Sequence, residues 1–330
     1  MEMESKKMKK EHSDDQFFLG VEKKLSKLRV AEPLDCICLW SDLLGFGNPF
    51  FKNNWMLTPQ DWISVQKRLF IAQSIAIRHY TVNNKLLILN DGIASTSVIV
   101  HDVDKPQRFV NIYSEEGEVI DQIASANALL QLSLFINSAV QIHQRINMAE
   151  REVGLPGTRT VLAFGQCAPY IPPRIIKDDF RLSSFEKRAN HGVENNREDE
   201  TILYNPYSFQ MNTAFSKAYI IESIGSKGGI TGANLYLDDS VIGCIERYAK
   251  DLNYMVIKED KEEYVEILVP RDTGDLTDVV LGFRLSKPFK PEELRYHTCV
   301  YRVLRFYPHD ELTNEFWYDL DVPCGYGPVA

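Results

Sequence analysis

The tripeptide Asn90-Asp91-Gly92, set between the apolar runs 85–89 and 93–100, constrains the fold more than any other feature. Two such runs joined by so few turn residues form a tight antiparallel hairpin. The chain is therefore expected to build an antiparallel sheet, which its other segments extend or cover. Residues 34–39 are a short apolar run that reads as a buried strand, ending in Asp42-Leu43-Leu44-Gly45-Phe46-Gly47. Thr58 and Pro59 fit the N-cap and first position of a helix running to about Tyr80. A longer helix is expected over 124–153, apolar at 129, 132, 136, 139, 140 and 146 and stopped by Gly154-Leu155-Pro156-Gly157. Residues 159–164 read as another buried strand and 209–224 as a helix. The remainder, with apolar runs at 264–269, 279–285 and 298–307, reads as mostly strand. The expected class is α+β, with helices on one face of a largely antiparallel sheet.

The flanks differ in composition. Residues 1–15 are polar and charged, a frayed lead-in, while Phe17, Phe18, Val21, Leu25 and Leu28 recur at helical spacing before Pro33. The expected organisation is a tail and helix over 1–33, a main domain over 34–310 with a polar insertion at about 171–200, and a C-terminal tail over 311–330. With 330 residues, 44% of them apolar, a core forms without covalent staples. Of the six cysteines no two have C-x-x-C spacing, so a zinc site is not indicated. Cys36 and Cys38 alternate on one strand face, and all six are expected to be free thiols in a reducing cytoplasm. The net charge of −9 argues against non-specific binding to nucleic acid or an anionic membrane. No run of about 18 apolar residues marks a membrane span, and no hydrophobic signal core is seen near Met1. An acidic chain still binds a triphosphate when divalent ions supply the positive charge.

The chemistry centres on Asp42 and Asp91. A carboxylate at the end of a buried strand holds a divalent ion while the amides of a following glycine turn face phosphate oxygens. A second carboxylate at a hairpin tip approaches the first when the strands are neighbours. Paired carboxylates holding two ions serve in-line displacement at phosphorus, one ion activating the attacking hydroxyl and the other neutralising the triphosphate.

The order of these elements resembles the class III nucleotidyl cyclases: a strand ending Asp42-Leu43-Leu44-Gly45-Phe46, a helix, then a hairpin at Asn90-Asp91-Gly92. The likeness continues through Gly154-Leu155-Pro156-Gly157-Thr158-Arg159, one residue longer than the family pattern. It reaches the helix Asn212-Thr213-Ala214-Phe215-Ser216-Lys217, followed by Glu222 and the glycine-rich stretch 225–229. It covers about residues 34–245, and within the class the chain looks most like the bacterial antiphage pyrimidine cyclases of the Pycsar systems. That resemblance implies a ferredoxin-like, mostly antiparallel sheet. It implies two Mg²⁺ or Mn²⁺ ions on Asp42, Asp91 and the Leu43 carbonyl, with substrate contacts from Gly45, Phe46, Gly47, Asn205 and Arg159. UTP or CTP would become the 3′,5′-cyclic nucleotide plus pyrophosphate, and the product would act on a separate effector protein. It further implies a homodimer with composite sites, in which one subunit supplies the metal residues and the other the helix bearing Asn212 and Lys217.

The chain departs from the family at two points. Leu87 stands where purine cyclases carry an adenine-reading Lys, and Lys85 is two residues away on the same strand face. Asn205 stands at the second base-reading position, where an amide offers both donor and acceptor. The family's transition-state Arg lies four residues after the helix Asn; here that place is Ser216, and Lys217 is turned away by about 100°. Arg159 and Arg174 are alternative cations. A catalytically silent, nucleotide-binding regulatory module and a purine cyclase are the rival readings; a diguanylate cyclase is argued against by the lack of G-G-[DE]-[DE]-F. His101, His143 and His191 show no ligand spacing, and Trp40 is expected in core packing.

Overall fold

The computed structural model describes residues 33–80, 84–99, 108–113, 119–125, 128–168, 208–272, 275–307 and 318–320. The chain divides into two compact units, one of Leu34–Cys167 with Asn212–Ala330 and one of Met1–Pro33 with Ala168–Met211. Only Pro33, Ala168 and 208–211 of the second unit are described, so the fold below is that of the first. The expected N-terminal helix, the insertion at 171–200, Asn205, Arg174, His101, His191 and most of the C-terminal tail lie outside the described residues.

Its elements are β1 (Leu34–Leu43), α1 (Asn48–Lys52), α2 (Pro59–Arg78), β2 (Lys85–Leu89), β3 (Gly92–Val98), β4 (Arg108–Tyr113), β5 (Val119–Ser125), α3 (Ala128–Glu152) and β6 (Thr158–Cys167). They continue with α4 (Thr213–Ile224), β7 (Leu235–Asp238), α5 (Asp239–Asp251), β8 (Ile257–Asp260), β9 (Tyr264–Asp272), β10 (Asp275–Ser286), β11 (Val300–Tyr307) and β12 (Tyr318–Asp319). Ten strands make one sheet in the order β2-β3-β1-β6-β7-β11-β10-β9-β8, with β12 beside β11, while β4 and β5 form a separate ribbon. All pairs are antiparallel except β6 with β7, which α4 joins as a crossover. A mixed α/β protein with a large, mostly antiparallel sheet is what the sequence led us to expect. Among the described residues no helix is long and apolar enough to cross a membrane.

Strand alternation sorts β1 into two faces. Ile37 and Leu39 enter the main core with Leu129 and Leu132 of α3 and Val241 and Ile245 of α5. Cys36 and Cys38 face the other way, against Ala214 of α4. Helices therefore cover both faces, which corrects the one-faced layout read from the sequence; a continuously apolar strand is the mark of burial on both sides. Helix α2 begins as expected, with a reciprocal capping box between Thr58 and Asp61.

Three further expectations change. The long helix starts at Ala128 rather than 124, because residues 119–125 pair with 108–113 as strands. Helix α4 starts at Thr213 rather than about 209, because the Asn212 side chain caps it by accepting from the Phe215 amide. Helix α5 falls in a stretch read as mostly strand. Asp238 caps it, and Val241, Ile242, Cys244, Ile245, Tyr248 and Ala249 form its buried stripe.

Helix α4 lies very close to β6, and Gly165 makes this possible. A Cβ there would stand 2.8 Å from the main-chain nitrogen of Ala214. Gly165→Ala is expected to cost about 1–3 kcal/mol by forcing α4 off the strand. Urea denaturation checks this, and a stability equal to wild type would show that α4 is not held where we describe it.

Candidate functional site

The site forms where β1 ends. Asp42 pairs across the sheet with Gly92 on β3 and with Arg159 on β6, so both neighbouring strands bring functional groups to its level. Asp91 is the second residue of the Asn90-Asp91 turn, and Asn90 takes the positive φ of 52° that lets the hairpin close. Gly92 is already in β3. It is small because the Trp40 ring covers it, at 2.6 Å from where a Cβ would stand. The main chain clamps the segment after Asp42 from both sides, with the Leu43 amide donating to Asp91 O at 3.2 Å and the Leu44 amide to Gly157 O at 2.9 Å. The two carboxylate-bearing segments are thus adjacent, as the sequence order suggested.

Electrostatics mark Asp42 further. Burial, then the nearby Glu222 and Asp91 carboxylates, push its pKa up to about 7, against the opposing pull of Arg159 and Arg68. Negative charge is crowded at this point, and a divalent cation would relieve it. Asp42, Asp91 and the Leu43 carbonyl thus fit the donor set of a hard metal ion. That carbonyl also accepts from the Phe46 amide at 3.2 Å, which uses one of its two lone pairs. Among the described residues no three His, Cys, Asp or Glu side chains are grouped to hold a metal ion, so the set is two carboxylates and main chain.

The turn residues divide their roles. Gly45 needs its positive φ of 66°, and its carbonyl accepts from the Asn48 amide at 3.1 Å. Phe46 is buried beside Leu43, Val65 and Ile146, so its side chain is a core group. Gly47 precedes α1. The Phe46 and Asn48 amides are engaged within the turn itself.

Arg159 lies level with Asp42, yet its guanidinium is held by Glu222, with Nε donating to Oε1 at 2.8 Å, and by the Ile230 carbonyl at 2.9 Å from Nη1. Both ion-pair partners are largely buried. Glu222 belongs to α4, so this pair fixes the end of α4 beside the carboxylates. The beginning of α4 lies elsewhere. Asn212 is 2% exposed, its Nδ2 donates to Thr96 Oγ1 at 3.1 Å, and Cys36 Sγ donates to its Oδ1 at 3.5 Å. Lys217 donates to the Phe164 carbonyl at 3.0 Å. Cys36 and Asp42 are six residues apart on one strand, about 20 Å at strand rise. A single chain therefore assembles Asp42, Leu43, Asp91, Arg159 and the Gly45–Gly47 turn, and leaves Asn212 apart from them, while Lys217 lies midway along α4 and is bonded to the Phe164 carbonyl.

Sequence reading missed a polar layer beneath the site. Ser41 Oγ bonds Thr158 Oγ1 at 2.7 Å and Thr160 Oγ1 at 2.9 Å, and Thr158 Oγ1 donates to Asp42 O at 2.8 Å. His143 Nδ1 meets Thr160 Oγ1 at 2.9 Å, and burial lowers its pKa to about 3, so it stays neutral as a structural group. The Asn147 side chain accepts from the Thr158 amide at 2.7 Å. Arg68 of α2 pairs with Glu150 of α3 at 2.6 Å, and its Nη2 donates to Leu44 O at 2.7 Å. The available signal was a charged residue on an otherwise apolar stripe, Val65, Arg68, Ala72 and Ala76. Trp40 packs edge-on to Phe215 and Tyr219 of α4, and Leu87, on the same face, is buried. No protein-family model matches the chain, and no curated protein matches it.

Proposed function

We propose that the chain is a metal-dependent nucleotidyl cyclase that converts UTP or CTP into the 3′,5′-cyclic nucleotide and pyrophosphate. In this reading the product is a second messenger in antiphage defence and acts on a separate effector protein. The observation that carries the proposal is that Asp42, at the end of β1 and near Asp91, is buried among carboxylates: burial first, then Glu222 and Asp91, pushes its pKa up to about 7. Mg²⁺ or Mn²⁺ on these carboxylates would supply the charge that neutralises a triphosphate and acidifies a ribose hydroxyl. Asp42 gives up its proton when a cation binds, and Asp91 completes the anionic pair. The 3′-hydroxyl oxygen attacks the α-phosphorus in line, and pyrophosphate leaves. The apolar Leu87 at the adenine-reading position argues against an adenine nucleotide as substrate.

Asn212 is bonded to Cys36, about 20 Å along β1 from Asp42, which supports a site completed by a second subunit. Helix α4 also exposes Tyr219 and Ile220, at 48% and 41%, an apolar surface suited to a homodimer contact. The test is incubation of the purified chain with each of the four ribonucleoside triphosphates and Mn²⁺. A cyclic pyrimidine product is expected, and no cyclic product from any of them would sink the enzyme reading. A mixture of Asp42→Ala and Asn212→Ala chains should regain about a quarter of wild-type activity from heterodimers with one intact site. Without such rescue the composite site falls.

One observation favours a second reading, a silent nucleotide-binding module. The Asn212 amide is occupied by capping α4 and bonding Thr96, and Lys217 is bonded to Phe164 O. Metal-dependent triphosphate binding without turnover in the same assay would select it.

A further inference from the structure

A pair of thiols stands at the opposite end of β1 from Asp42. Cys36 on β1 and Cys167 on β6 are diagonal neighbours on one face, because Cys36 pairs with Gly165 and Leu34 with Cys167. The Cys167 side chain packs against the small cluster of Cys36, Cys38 and Ala214. Cys36 is fully buried, whereas Cys167, the last residue of β6, is partly exposed. The difference in access separates the thiol that an external reagent can meet from the one that waits beneath it. Cys38, two residues along β1, is buried and has Ala163, not a cysteine, across from it on β6.

We propose that Cys167 and Cys36 form a reversible oxidation site, in which a hydroperoxide oxidises Cys167 and Cys36 then closes a disulfide. Hydrogen peroxide converts the Cys167 thiol to a sulfenic acid and is reduced to water. The Cys36 sulfur attacks the sulfenic sulfur, an S–S bond forms, and the hydroxyl leaves as a second water with the Cys36 proton. Two electrons and two protons pass from the two thiols to one peroxide. The proton order agrees with this sequence. The interaction with Cys36 lowers the Cys167 pKa, so Cys167 is the more readily ionised thiol and reacts first, while the same interaction and burial push Cys36 up. Diagonal neighbours on paired strands stand about 7–8 Å apart, so β1 and β6 must close inward by about 1 Å or more for the disulfide to form.

The bond would also reach α4. Cys36 Sγ donates to Oδ1 of Asn212, the residue that caps α4 and bridges to Cys167. Oxidation removes that donor and ties the strand on which Asn212 rests. The oxidation site does not rest on the cyclase proposal, since it is argued from the pairing of β1 with β6 and the exposure of the two thiols alone.

The experiment treats the full chain with a few equivalents of hydrogen peroxide, quenches it with a thiol-alkylating reagent and maps the peptides by mass spectrometry. A Cys36–Cys167 peptide pair lacking two hydrogens, restored by dithiothreitol, is the expected result. Cys167→Ser should abolish the crosslink, and Cys38→Ser should leave it unchanged. Cys167 is partly exposed, so its serine variant folds even where a Cys36 variant does not. A crosslink of Cys36 to Cys38, or Cys167 driven to sulfinic acid while Cys36 remains alkylatable, would overturn the proposal. So would unmodified Cys167 under conditions that oxidise free cysteine in the same tube.

Discussion

Asp42→Asn is expected to lower cyclic nucleotide formation by about 10³-fold or more, and at the same time to make the cation-free protein more stable above pH 7. The first effect follows from removing one of two carboxylates that hold the cations, whose electrostatic contribution at phosphorus is several kcal/mol. The second follows from the raised pKa of Asp42, about 7 against 3.8 for the free group. A carboxyl whose pKa is higher in the folded state favours folding while protonated. Its contribution is intact below pH 3.8 and is lost as pH rises through about 7, where the buried group must ionise beside Asp91 and Glu222. With partial screening by solvent the cost is on the order of 2 kcal/mol, or about 2–4 °C in melting temperature for a chain of this size. Asparagine carries no such cost. Thermal melts of both proteins without divalent ions should therefore diverge at pH 8 and converge near pH 4. A variant less stable than wild type at pH 8 would mean that Asp42 is a structural carboxylate, and retained activity would remove it from the reaction.

That combination, an unfavourable group kept where a strand ends, is also why the site was partly legible in the sequence. Asp42 and Asp91 could be picked out because strand, glycine turn and hairpin are local signals, and local signals fix where a residue sits along the chain. Pairing of Asp42 with Gly92 and Arg159 is a matter of register, which the apolar runs also fix, since a slip of one residue would invert both faces of β1. What local signals do not carry is the partner of a side chain. Arg159 reads as a free cation in the sequence, and only the crossover from β6 through α4 brings Glu222 onto it. Asn212 reads as a helix residue with a free amide, and only the packing of α4 on Cys36 and Thr96 commits that amide to its own chain. Helix α5 was lost for a different reason: Leu235–Asp238 is a true strand, and the boundary Asp238 serves both as its last residue and as the cap of the helix that follows.

The largest effect on stability is expected from the ion pair beneath the turn. Arg68 and Glu150 are 8% and 5% exposed and 2.6 Å apart, so each neutralises the charge that the other carries out of water. Arg68→Met leaves a buried carboxylate without its cation, and Glu150→Leu leaves a buried guanidinium without its anion. Either change should cost about 3–5 kcal/mol, whereas the double replacement removes both charges and should recover most of that loss. Urea midpoints of the four proteins check this, and a double variant as unstable as the sum of the singles would exclude the pair as the cause. Metal affinity should not recover with stability. The Arg68 Nη2 that donates to Leu44 O at 2.7 Å holds the segment just after Asp42 and Leu43, and neither double nor single Met replacement restores that donor. Mn²⁺ titration of the stable double variant should therefore still show binding about tenfold weaker or more, the usual cost of removing a group that orients metal ligands. A double variant that folded and bound Mn²⁺ like wild type would confine Arg68 to the core, and the bonds to Gly157 O and Asp91 O would then suffice to hold the turn.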